Sequence, residues 1–182
     1  MPDPFAGVAE ATRRHREEHG CGAYLYRDGS LLGVIAAAAR ARRVVEVGTA
    51  LGYSALWLAH GAPGADVDTI EADAEHVELA RAQLAAADGG ERVHVHHGRG
   101  EQVLATLDAG SYDVAFFDGS APTPELIGGL RERLRDGGVL IAGNLSFGRG
   151  AAIERGLADP ARWLTHSLGE TALCIKRAAA GG

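Results

Sequence analysis

Short runs rich in β-branched residues recur along this chain in alternation with alanine-rich stretches of helical pattern, and that alternation limits the fold more than any other feature. The extended runs are RVVEV (43–47), DVDTIEA (66–72), RVHVHH (92–97), YDVAFFD (112–118) and GGVLIAG (137–143). Between them lie SALWLAHG (54–61), AEHVELARAQLAAA (74–87), EQVLATL (101–107) and PELIGGLRERLR (124–135). Strands separated by helices join through right-handed crossovers, which align the strands in parallel and put helices on both faces of the sheet. Two more helices are expected before the first strand. One covers about residues 4–19, with Asp3 and Pro4 as cap and first position and Gly20 as stop, and the other runs through SLLGVIAAAARA (30–41), capped by Ser30. RWLTHSL (162–168) and TALCIKR (171–177) are separated by a Gly-Glu turn alone, too short for a helical crossover. They are predicted to pair as an antiparallel hairpin at the sheet edge.

The bounds agree with an α/β enzyme or binding domain. A chain of 182 residues suits one domain, 1–182, with residues 1–20 as an N-terminal helix and the terminal AAAGG, 178–182, as a frayed tail. The net charge of −6 disfavours nucleic acid as a partner. Cys21 and Cys174 lie far apart without metal-type spacing, the N-terminus lacks a charged-then-apolar signal pattern, and no apolar run approaches the roughly 20 residues a membrane span needs. A cytoplasmic location is the expectation.

The segment VVEVGTALGYSAL, 44–56, ends a strand in a glycine-spaced turn and opens a helix, a place where backbone N–H groups can approach a ligand closely. A dinucleotide fingerprint would need G-x-G-x-x-G, but after Gly48 the next glycine positions hold Ala50 and Tyr53. Instead Glu46, Gly48 and Gly52 form E-x-G-x-x-x-G, and the next strand ends in Glu71, at the distance where an acid hydrogen-bonds ribose hydroxyls. Adenosine is indicated without a pyrophosphate cradle.

VVEVGTALGYSALWLA, TIEADAEHVELAR, YDVAFFDGS and DGGVLIAGN together resemble the successive motifs of class I S-adenosylmethionine-dependent methyltransferases, specifically the catechol and caffeoyl-CoA type O-methyltransferase family. The similarity runs from about Gly29 to Lys176. It implies a Rossmann-like doubly wound sheet of seven strands, mostly parallel, closed by an antiparallel C-terminal hairpin strand, with helices on both faces. It also implies roles. Gly48 and Thr49 would let the chain pass close to the methionine part of the cofactor, with Glu46, Gly52 and Tyr53 in the same motif, and Ser54 would hydrogen-bond the cofactor's carboxylate. Glu71 would take the ribose hydroxyls, Ala72 would pack on adenine, and Gly98, Arg99 and Gly100 would line its other side. Asp118 would face the methionine amino group.

In that family a divalent metal aligns and deprotonates the acceptor oxygen, held by an Asp after the fourth strand and an Asp-Asn pair after the fifth, with a Lys nearby. Asp118 and Asn144 match two of the ligands and are the candidate catalytic residues here. Gly143 stands where the second Asp should be, and Ala121 where the Lys should be. Losing one carboxylate removes a full charge from a site for hard cations. Asp118 and Asn144 are therefore expected to hold a metal weakly, with Asp118 serving the cofactor's amino group and the acceptor's proton.

Two histidine groups stand apart from this pattern. HREEH, 15–19, fits the H-x-x-E-H zinc-protease spacing and puts His15 and His19 on one helical face, but it lies in a short charge-rich helix that ends at once. A solvated helix face near the substrate opening is the expectation. His94 and His96 point to one side of their strand and His97 to the other, which reads as packing or edge exposure.

The reading is an S-adenosylmethionine-dependent O-methyltransferase acting on a small hydroxylated acceptor of phenolic or natural-product type, working as a homodimer. The alternatives are methylation of a hydroxylated uridine in tRNA, a cofactor-binding module without methyl transfer and, more distantly, a nicotinamide dehydrogenase. Acceptor shape is expected to be set by the N-terminal segment and by the loop from Asn144 to Gly150.

Overall fold

The computed structural model describes residues 2–120, 122–146 and 150–178. Helices α1 (Ala6–His19) and α2 (Gly29–Ala38) precede strand β1 (Arg43–Val47). Then follow α3 (Tyr53–Gly61), β2 (Asp66–Glu71), α4 (Ala74–Ala86), a 3₁₀ turn (Gly90–Arg92), β3 (Val93–His97), α5 (Gly100–Leu104), β4 (Tyr112–Phe117), α6 (Pro124–Arg133) and β5 (Leu134–Ala142). Helix α7 (Gly150–Leu157) leads to the hairpin of β6 (Trp163–Leu168) and β7 (Thr171–Lys176).

The seven strands form one sheet in the order β3-β2-β1-β4-β5-β7-β6. The first five are parallel, and β7 runs antiparallel between β5 and β6. Alternation along the strands divides the core in two. Val44, Val114, Phe116 and Ile141 turn to the face covered by α2 and α3, whereas Val45, Val47, Ala115, Phe117 and Leu140 turn to the face covered by α5, α6 and α7. That is the doubly wound arrangement expected of crossover helices that fall on both sides.

The α2–α3 layer is tight because its contact is built from small residues. A side chain at Gly61 would collide with the carbonyl of Gly33, so the two helices meet backbone to backbone. Phe5 closes the end of this layer, edge-on to Trp57 at 5.5 Å and to His60 at 5.6 Å.

Helix starts depart from expectation in instructive ways. Ser30 does not cap α2, whose N-cap is Asp28 without a side-chain bond, and α1 has Phe5 at that position. Asp3 still satisfies the chain entering α1, since its Oδ1 accepts from the Phe5 N–H at 2.9 Å. Asp73 and Thr123 do cap α4 and α6, each accepting backbone N–H bonds of the first turn. The stretch after the loop from Asn144 to Gly150, for which no element is expected from sequence, forms α7, whose Ile153 and Leu157 are buried. Strand β5 begins at Leu134 rather than Gly137 and takes residues assigned to the end of α6, with its register shifting opposite Tyr112 and Val114. Ala121, residues 147–149 of the loop and residues 179–182 of the tail lie outside the described residues.

The strand histidines have structural partners. β3 is an edge strand, His96 Nε2 lies 2.7 Å from Asp68 Oδ1, and Tyr112 donates to the other oxygen of Asp68 at 2.8 Å.

Candidate functional site

In an open α/β sheet a ligand crevice forms outside the carboxyl ends of the strands, where chain order reverses. Here the reversal falls between β1 and β4, and a cavity of about 1190 Å³ opens above it. Its walls bring together Gly48, Thr49, Tyr53, Ser54, Glu71, Ala72, Gly98, Arg99, Gly100, Asp118 and Asn144. Glu46 and Gly52 belong to the same turn but lie behind the wall. Gly52 packs towards Leu84 of α4, and Glu46 is fully buried beneath Ser54.

The β1–α3 turn is shaped by contacts to its neighbours. Gly48 has φ +102°, and a Cβ there would lie 2.9 Å from the backbone carbonyl of Asp118, so only glycine lets the ends of β1 and β4 lie this close. Ala50, in the left-handed region at φ +46°, donates its N–H to Glu71 Oε2 at 2.9 Å. Glu71 Oε1 accepts from the Asp73 N–H at 2.9 Å. One carboxylate thus ties the β1 turn to the β2 turn and keeps lone pairs for hydroxyls in the cavity. Thr49 offers its backbone to the cavity, because its hydroxyl is engaged beneath. Thr69 gives its one proton to Glu46 Oε2 at 2.5 Å, so Thr49 is the donor in the 2.6 Å bond to Thr69.

Glu46 is an acid with little solvation. Burial pushes its carboxyl up to about 7, against the hydroxyls of Ser54 and Thr69, which favour the charged form. Its Oε1 has no hydrogen-bond partner among the described residues.

Asp118 marks the other end of the cavity. Its N–H continues the β4–β1 ladder to Val47 O at 3.0 Å, and burial pushes its carboxyl up to about 7, opposed by the Asn144 amide. Asn144 Nδ2 donates to Asp118 Oδ1 at 3.0 Å and to the Gly119 carbonyl at 2.9 Å. Because Gly119 presents only an acceptor, the amide nitrogen must face this pair, and nitrogen does not ligate a hard cation. Gly143 adds no oxygen ligand of its own side chain, and a Cβ there would already stand 3.2 Å from Asp118 Oδ1. As arranged, Asn144 turns an amide nitrogen, and not a second oxygen, towards the Asp118 carboxylate.

Sequence reasoning passed over the segment 21–28 and the hairpin turn, both of which line the cavity. Tyr26 stands edge-on to Phe116 at 5.0 Å, with its hydroxyl 3.2 Å from Thr171 Oγ1, and burial raises its phenol above the ordinary value. The available signal was an aromatic pair, Tyr24 and Tyr26, in a short polar linker between two helices. Tyr53 also lines the wall while its hydroxyl donates to Asp3 Oδ2 at 2.9 Å, fixing the chain that leads into α1.

Comparison with known proteins gives a consistent picture. The family model described as "Methyltransferase domain" matches residues 45–145. A catechol O-methyltransferase of Mycobacterium tuberculosis is 37% identical over 135 residues, covering 73% of this chain and 61% of that protein. The chain spans 61–69% of the length of the mycobacterial relatives it matches. Among solved structures, the O-methyltransferase TomG of Streptomyces achromogenes, involved in tomaymycin synthesis and in complex with SAM, is 25% identical with a TM-score of 0.84, covering 98% of this chain and 91% of that one. The cofactor-bound Rv0187 protein of M. tuberculosis is 28% identical with a TM-score of 0.78, covering 97% and 91%.

Proposed function

Since the chain belongs to the methyltransferase-domain family, we propose that it binds S-adenosylmethionine and transfers the methyl group to the hydroxyl of a small phenolic or related acceptor. The observation that carries this reading is the placement of Glu71 and Asp118 at two ends of one cavity, with the Gly48 turn and Ser54 between them. The volume exceeds the roughly 300–1,000 Å³ of a site for one small ligand, so a nucleoside cofactor and an acceptor fit side by side. The bound cofactor supplies a methyl group already activated on a sulfonium.

The chain's own residues then have separate tasks. Glu71 accepts from the ribose hydroxyls, the backbone N–H of Ser54 at the start of α3 donates to the carboxylate, and Gly98–Gly100 and Ala72 flank the adenine. Asp118 sits against the cofactor's amino group and accepts the acceptor's proton as the new O–C bond forms and the C–S bond breaks. A base whose pKa lies near neutrality suits that task. Tyr26 and Asn144 hold the acceptor's end of the cavity.

Replacing Glu71 by Ala removes hydrogen bonds to a charged acceptor, each of which contributes about 1.5–3 kcal/mol. Affinity for S-adenosylhomocysteine is expected to fall at least about tenfold in calorimetry, and an unchanged dissociation constant in a folded variant would place the ribose elsewhere.

Transfer is proposed to proceed without a divalent metal, as the Asn144–Asp118–Gly119 bonding suggests. Turnover of a responsive catechol should survive EDTA within about twofold, and Asn144→Ala should harm it less than Asp118→Ala. Activity abolished by EDTA and restored by Mg²⁺, Mn²⁺ or Ca²⁺ would overturn this.

We also read the protein as a cytoplasmic homodimer. Both cysteines are free, no helix among the described residues is long and apolar enough to cross a membrane, and Leu164 and Ile175, cross-strand partners on the outer hairpin, are 56% and 41% exposed.

A further inference from the structure

The histidines of the H-x-x-E-H stretch have partners that their spacing along α1 does not reveal. His15, in the third turn of α1, is only 9% exposed, and its Nε2 has no hydrogen-bond partner among the described residues. Gly20 ends α1 in a left-handed turn, and Cys21 follows it at once. His76 projects from the first turn of α4 and is 6% exposed. One ligand atom from each of His15, Cys21 and His76 lies within 4.8 Å of the others. The rings already crowd together, with His15 edge-on to His76 at 5.3 Å and stacked on His19 at 4.5 Å.

We propose that His15, Cys21 and His76 form a zinc site that fastens the end of α1 to the start of α4. Two imidazoles and a thiolate are the ligand set that Zn²⁺ takes in preference to hard cations. Bonds of about 2.0–2.3 Å in a tetrahedron put ligand atoms about 3.3–3.8 Å apart, so the three side chains close in by an ångström or so when the ion enters. Binding releases the thiol proton to solvent and gives the orphaned His15 nitrogen a partner. The fourth position opens towards His19, which with His15 and Glu75 makes a second grouping within the same 4.8 Å.

The site is distinct from Asp118 and Asn144 and is independent of the methyl-transfer reading, but it borders the same cavity. His76 and Thr12 line the cavity wall, and the His76 N–H donates to Asp73, whose own N–H holds Glu71. The ion would therefore fix α1 over the adenosine end. This is a clamp and not a protease centre, because two of its three ligands lie outside the H-x-x-E-H stretch.

The test is titration of the full chain, purified without a histidine tag, with Zn²⁺ in calorimetry and with Co²⁺ in absorption spectroscopy. One equivalent of Zn²⁺ per chain is expected, with affinity falling about a hundredfold or more in Cys21→Ser and in His15→Gln. Co²⁺ should give the strong visible bands of a tetrahedral ion and a near-ultraviolet thiolate-to-metal band that Cys21→Ser abolishes. The Co²⁺ spectrum of the natural sequence decides the matter even if a variant folds poorly. Absence of tight Zn²⁺ binding, a Co²⁺ spectrum without a thiolate band, or affinity unchanged in both folded variants would overturn the proposal.

Discussion

Asp118→Asn is expected to lower kcat/KM for a phenolic acceptor by about 10²–10⁴-fold, the range that a positioned general base contributes. Asparagine keeps the shape of the side chain and a polar contact to Asn144 but cannot take a proton. Loss of the charge also weakens the hold on the cofactor's ammonium, so affinity for S-adenosylhomocysteine should fall too, by a smaller factor. The pH profile separates the two effects. Burial holds the Asp118 carboxyl near 7 in the cofactor-free protein and the cofactor's ammonium draws it down on binding, so the natural chain should lose kcat/KM along an acidic limb below 7 and level off above it. Asp118→Asn should have no such acidic limb. A variant that keeps turnover within tenfold and retains the limb would assign the base elsewhere, with Tyr26, across the same end of the cavity, as the first residue to test.

Much of this site is legible in the sequence because strand ends and turns are local. E-x-G-x-x-x-G fixes a turn after a buried strand, and the acid 25 residues after Glu46 falls at the end of the next strand because one helix and one strand intervene. The hairpin is legible for the same reason, since a Gly-Glu link can join only antiparallel neighbours. Helix α7 is harder to read because it is only eight residues long and holds two glycines, and Ile153 and Leu157 are buried only by packing on the far face of the sheet. Tyr26 is hard to read because, beyond its pairing with Tyr24 in the linker, nothing local assigns a role to it. Its position depends on Thr171, 145 residues away, and on Phe116 in the middle of β4.

The internal position of Glu46 has the same long-range origin. From sequence it belongs with the ligand-binding turn, but the register of β1 against β2 pairs it with Thr69 and directs it under α3. Thr69 and Thr49 then form a bonded chain from the buried carboxyl to the turn itself. The acid therefore shapes the cavity from below.

That burial makes Glu46→Gln the strongest stability prediction. The native carboxyl titrates near 7 against an ordinary value of 4.5, because burial penalises the charge. A folded-state pKa raised above the unfolded one gives stability that is fully present below about 4.5 and is lost as pH rises through 7. At about 1.4 kcal/mol for each pH unit between the two values, the loss by pH 8 is roughly 3 kcal/mol. Glutamine has no charge to bury. Its carbonyl can keep the Thr69 bond, and its NH₂ can occupy the place of the unpartnered Oε1, with the Ser54 hydroxyl near enough to accept. Asp118 titrates in the same range and its charge adds to the upward push on Glu46, so part of the pH dependence belongs to the pair. The melting temperature of Glu46→Gln relative to the natural chain should therefore rise by about 6–12 °C between pH 4.5 and pH 8, at roughly 2–4 °C per kcal/mol for a domain of this size. Scanning calorimetry of both proteins across that range tests it. A difference that does not change with pH would mean that Glu46 is ionised in the native state, held by Ser54 and Thr69 despite its burial, and the cavity floor would then carry a permanent negative charge beneath the cofactor.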